Sequence, residues 1–171
     1  MGRPSGCPFF FEVKLSEVNL SDEDRAEYSE HAERLLEEIT SIIEVYEENP
    51  EDLKSLRSFH KAMDRMQMQA KLYELDLIAS FCEMGKLVAD KATKSTSQIL
   101  NEVAAGVLAD TVDVLMQMIQ SIKIGEDISS MKQFGSFIGR LRILVDKFKS
   151  LSADNDIEKL DAMVSDLEKK D

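Results

Sequence analysis

The chain is short of proline, cysteine, histidine and basic charge, and each shortage narrows what it can be. Its three prolines stand at positions 4, 8 and 50, so none interrupts a helix from Glu51 onward. Two cysteines, Cys7 and Cys82, do not make a disulfide framework. Cys82 falls on an expected helix and reads as a small core residue. No apolar run approaches the length of a membrane span, and Phe9-Phe10-Phe11 is too short for a signal-peptide core. A reducing cytoplasm is therefore the expected setting. The pattern Met-Gly-Arg-Pro-Ser-Gly lacks Ser or Thr where a myristoylation signal needs it. A formal charge of -12 argues against general nucleic-acid binding, which requires a basic footprint. Only two histidines occur, and the paired Glu-x-x-His motifs of di-iron bundles are absent. His31, with Glu27 and Glu30 nearby, therefore reads as an exposed helix residue rather than a metal ligand, and no metal or other cofactor is expected.

What remains is a chain with 43% hydrophobic and 32% charged residues, a mixture that suits a helical domain of this length. Residues 1–20 read as an N-terminal arm, in which Phe11, Val13 and Leu15 alternate with Glu12 and Lys14; its aromatic residues are expected to cover part of the core. Ser21 followed by Asp24 starts the first helix with a capping-box-like pair. Leu35, Leu36, Ile39, Ile42, Ile43 and Tyr46 recur at helical spacing along it. Asn49-Pro50-Glu51-Asp52 reads as a turn into the next helix, with Pro and acids suited to its first turn.

A second helix is expected from about 51 to 70, with Leu53, Leu56, Phe59, Met63, Met66 and Ala70 on one face. The third should run from about 72 to 92, with Leu75, Ile78, Ala79, Cys82 and Val88 inward. The fourth should span about 95 to 122 on Ile99, Val103, Val107, Val114, Met118 and Ile122. The fifth should span about 127 to 150 on Met131, Phe134, Ile138, Leu141, Val145 and Phe148. Ile157, Leu160, Val164 and Leu167 mark a short amphipathic helix within 151–171. It could pair two chains, but packing back onto the bundle is the expectation. Short connections imply antiparallel neighbours. The expected fold is all-α: an antiparallel up-down four-helix bundle with an additional fifth helix, together spanning 21–150, and a C-terminal helix. Met63, Met66 and Met68 fit a core more readily than an adaptable groove.

Charge is unevenly placed. Glu17 to Glu48 carries twelve acidic and two basic residues, whereas Lys54 to Lys71 carries five basic and one acidic. His60 lies inside that basic segment, about 100° around the helix from Phe59, so it sits at the edge of the apolar stripe within reach of solvent. A histidine in that position can carry a phosphoryl group if one ring nitrogen is free and the other is oriented by a partner. Arg57, Lys61 and Arg65 recur every four residues beside it and can contact a phosphoryl group or a partner protein. Asp64, at i+4 from His60, would oppose an anion there.

The stretch from Tyr28 to Lys91 resembles a histidine phosphotransfer (HPt) domain, in particular the N-terminal phosphotransfer domain of chemotaxis-type histidine kinases. The resemblance runs through Glu33-Arg34-Leu35-Leu36-Glu37-Glu38-Ile39 and Glu48-Asn49-Pro50-Glu51-Asp52-Leu53. It reaches Leu56-Arg57-Ser58-Phe59-His60, where the family reads Phe-Arg-Ala-Phe-His or close to it. It implies that His60 accepts the phosphoryl group and that Glu83, matched with about one inserted residue, orients the imidazole. It implies a response-regulator receiver domain and a histidine kinase as partners in two-component signalling. Any Mg2+ would belong to the receiver. The family's Lys-Gly pair after the histidine is replaced by Met63-Asp64, and its Gly-rich turn by Arg65-Met66-Gln67-Met68-Gln69-Ala70. The chain has no Gly-rich phosphate loop for ATP, so it would be a phosphocarrier rather than a kinase. The replacements leave open a second expectation, that the bundle is an interaction module working without phosphate.

Overall fold

The computed structural model describes residues 19–128, 131, 134–152 and 154–169. Its helices are α1 (Asp22–Glu48), α2 (Leu53–Leu72), α3 (Asp76–Lys94), α4 (Gln98–Lys123), α5 (Gly135–Leu151) and α6 (Asn155–Glu168). The expected N-terminal arm lies outside the described residues, apart from Asn19 and Leu20.

Local chemistry starts and stops these helices much as the sequence suggests. Ser21 Oγ accepts from the Asp24 N–H at 3.1 Å and donates to the Asp24 carboxylate at 2.6 Å, which holds the first turn of α1. Asp52 caps α2 by accepting from the Lys54 N–H at 3.0 Å, so the helix starts at Leu53 and Pro50 lies in the turn before it rather than in its first turn. Ser97 caps α4, and Asp154 caps α6 by accepting from the Asp156 and Ile157 N–H groups.

Two helices end in the same hydrogen-bonded loop. At the end of α4, Gly125 takes a left-handed φ of 79°, with Glu126 N–H donating to Ser121 O at 2.8 Å. At the end of α2, Leu75 N–H donates to Ala70 O at 2.8 Å, and the left-handed residue is Glu74, at φ 56°. A side chain in that region costs on the order of 1 kcal/mol, which glycine avoids. Glu74→Gly is therefore expected to raise the melting temperature by about 2–4 °C. An unchanged or lower midpoint in a thermal melt would show that Glu74 is not strained.

Packing divides the molecule into two layers that share α3 and α4. Helices α1 to α4 form an antiparallel bundle in which α1 touches α2 and α4, and α3 touches α2 and α4. The α5–α6 hairpin lies across the other side, with α5 against α4 and α6 against α3. One continuous core joins both layers: Leu36, Ile39, Phe59, Met63, Ile78, Phe81, Leu108, Leu115, Leu144, Leu160 and Val164 all belong to it. Phe81 of α3 stacks on Phe137 of α5 with ring centroids 5.6 Å apart. Ile157, Leu160, Met163, Val164 and Leu167 are buried, so α6 packs back onto the bundle.

Three expectations need correction. Leu53 is 37% exposed rather than core, because it occupies the open first turn of α2. Ile99 and Val103 are exposed at 75% and 41%; α4 turns Leu100 and Ala104 inward instead, one position further along each turn. The fifth helix begins at Gly135, not near 127. Met131 and Phe134 therefore precede α5, though Phe134 is still buried against Phe81.

Candidate functional site

His60 stands on the α2 face turned toward α3. Phe59, immediately before it, is fully buried, and its ring lies 3.5 Å from where a Cβ on Gly85 would sit. A Cβ there would make only ordinary van der Waals contact, so Gly85 is not required for the approach; Phe59 packs over the α3 backbone with His60 at the rim of the contact. Its side chain is 36% exposed, and Nε2 lies 3.5 Å from Asp90 Oδ2.

The antiparallel register of α2 and α3 decides which side chains meet. His60 faces Asp90, Asp64 faces Lys86, and Gln67 faces Glu83. The structure therefore places Glu83 about two helical turns, roughly 10 Å, from the level of His60. This corrects the assignment of Glu83 as the residue that orients the imidazole: the facing carboxylate is Asp90. The Glu83 assignment rests on the family motif alone, whereas the facing residue is set by the helix register and hence by the position of the turn. The sequence reading ends the second helix near residue 70 and restarts at 72, whereas α2 continues to Leu72 and α3 begins at Asp76. Each residue added before an antiparallel turn moves the facing partner by two positions.

Glu83 instead anchors a polar cluster joining α2, α3 and α6. Its carboxylate accepts from Gln67 Nε2 at 2.9 Å and from Lys159 of α6, and pairs with Lys86 at 3.1 Å. Burial alone would raise its pKa, but hydrogen bonds from Lys159, Gln67 and Lys86 outweigh this and hold it at about 2. Lys86, only 12% exposed, also donates to Asp64 Oδ1 at 2.9 Å and Gln67 Oε1 at 2.6 Å. The hydrogen bond from Lys86, followed by its charge, holds Asp64 below the usual carboxylate range.

The basic row divides. Arg65 is bound to Glu38 of α1, whereas Arg57 and Lys61 are exposed and form no ion pair among the described residues. Met63, at the position of the resembled family's lysine, is fully buried together with Met66. Met68 is exposed beside a groove between α1 and α2, where Gln69 Nε2 approaches His31 Nδ1 at 3.4 Å. Cys82 is buried, and that burial pushes its thiol up to about 12, which leaves it unreactive.

The structure thus brings His60 and Asp90 together, with Arg57 and Lys61 flanking the histidine along α2, and assigns Glu83, Asp64 and Arg65 to other partners. Asp90 and Lys86 were missed from sequence. Their signal was present as the face Glu83-Lys86-Asp90 on α3, but choosing among the three requires the turn to be placed within one or two residues. No protein-family model, curated protein or solved structure matches the chain.

Proposed function

We propose that the protein is a histidine phosphocarrier of two-component signalling, with His60 as acceptor and Asp90 as the residue that orients it. The observation that carries this reading is a partly exposed imidazole with one nitrogen turned toward a carboxylate and two exposed cations beside it that form no ion pair among the described residues. A proton on Nε2, facing Asp90, leaves the Nδ1 lone pair for a donor phosphorus. That lone pair forms the N–P bond as the acyl P–O bond of an aspartyl phosphate breaks and the receiver carboxylate departs. The imidazole keeps its Nε2 proton, and Asp90 balances the positive ring. Arg57 and Lys61 compensate charge on the incoming group. The partners in this reading are a receiver domain and a histidine kinase, and the setting is the cytoplasm.

One observation favours the alternative, a phosphate-independent interaction module: position 63 holds a buried methionine, so no cation projects from there.

The experiment uses two donors. A panel of phosphorylated receiver domains tests partner-dependent transfer. Phosphoramidate tests the histidine alone, its P–N bond breaking as ammonia leaves with a proton. Acid-labile, base-stable label mapped to His60 by mass spectrometry is the expected result. Absence of label from both donors, with a receiver still binding, would establish the interaction module instead.

A further inference from the structure

Asp64 should spoil the site just described. It lies at i+4 from His60 on one helix face, about 6 Å away, and its side chain is half exposed. A bare carboxylate there would repel a phosphoryl group, which carries close to two negative charges.

Lys86 removes that repulsion from the opposite helix. Its ammonium has three N–H donors and three acceptors around it, at 2.9 Å on Asp64, 2.6 Å on Gln67 and 3.1 Å on Glu83. None is left over for a ligand, so Lys86 does not itself grip an incoming anion. Lys86 is itself nearly buried, so its ammonium is held in place beside the half-exposed Asp64 carboxylate. The short bond from Lys86 to Gln67 on α2, together with Asp64 itself, holds the ammonium beside Asp64 rather than letting it swing outward.

We propose that Lys86 is a positioning residue that makes His60 able to accept an anion by masking Asp64, a charge supplied from α3 instead of from position 63 of α2. This rests on the reading of His60 as a phosphoryl acceptor. Two charges facing one carboxylate at about 6 Å in a water-like dielectric correspond to roughly a tenfold change in equilibrium.

The test compares His60 labelling by phosphoramidate in four full-length proteins: wild type, Lys86→Gln, Asp64→Asn, and the double variant. Lys86→Gln is expected to lower acceptance about tenfold, Asp64→Asn to leave it within twofold, and the double variant to recover the wild-type level. Recovery is the diagnostic result, since damage to the α2–α3 packing would not be repaired by removing the Asp64 charge. If Lys86→Gln melts too early to assay, Lys86→Met with and without Asp64→Asn provides the same comparison. Equal labelling of wild type and Lys86→Gln, or a loss that Asp64→Asn does not restore, overturns the masking role while leaving the phosphocarrier reading in place. An unlabelled wild type overturns both.

Discussion

Replacing Asp90 by Asn is expected to lower phosphoryl acceptance by about three- to fivefold, while Glu83→Gln leaves it within twofold and His60→Gln abolishes it. The Asp90 effect follows from charge. During transfer His60 becomes a cationic N-phosphoimidazole, and a carboxylate 3.5 Å from Nε2 stabilises that cation where a neutral amide of the same shape does not. Nε2 and Oδ2 lie 3.5 Å apart and both side chains are more than a third exposed, so the pair is worth up to about 1 kcal/mol, or about three- to fivefold in rate or equilibrium. His60→Gln should leave the thermal midpoint close to that of the wild type, because its side chain sits at the rim of the core rather than within it. Glu83→Gln should do the opposite, costing stability through the Lys159 and Lys86 contacts while sparing the chemistry. Rates with phosphoramidate and a melting curve for each variant separate the two roles. A Glu83 variant that loses transfer while Asp90→Asn keeps it would sink the assignment of Asp90.

The contrast shows what could be read from the chain and what could not. The helices were legible because apolar residues recur at a constant period, and an error of one or two residues at an end scarcely changes which face is buried. His60 was legible for the same reason, as the neighbour of Phe59 on the edge of a strong stripe. The partner of His60 was not, because cross-helix pairing depends on where the turn lies, and every error there is doubled on the facing helix. Glycine would have marked that turn, as Gly125 marks the end of α4. Glu74 occupies the left-handed position instead, and nothing in its side chain announces it. The exposed Ile99 and Val103 follow a related logic: the first turns of α4 are covered on one side only, and period alone does not say which of two adjacent apolar rows turns inward.

Acidification should weaken the α2–α3–α6 junction before it touches the apolar core. Glu83 carries the largest expected effect. Its carboxyl is held near 2 in the folded chain against an ordinary 4.5, so its stabilising contribution is complete above about pH 4.5 and disappears as pH falls through about 2. With its side chain only 17% exposed, that difference corresponds to on the order of 3 kcal/mol. Asp154 and Asp161 reinforce the trend. The hydrogen bond from Lys91 lowers Asp154; burial opposes the lowering at Asp161, where hydrogen bonds from Lys149 and Arg142 prevail. Both tie α6 to its neighbours, through Lys91 of α3 and Arg142 and Lys149 of α5. Asp110 works in the other sense: burial raises its pKa despite Arg140, so its protonation in acid relieves a cost. One such group does not offset the others. Urea unfolding between about pH 5 and pH 2 should therefore show a falling midpoint, and the fall should be flattened in Glu83→Gln, whose neutral amide has nothing to titrate. If that variant and the wild type lose stability along the same slope, the Lys159–Glu83–Lys86 cluster is not what fastens α6 to the bundle.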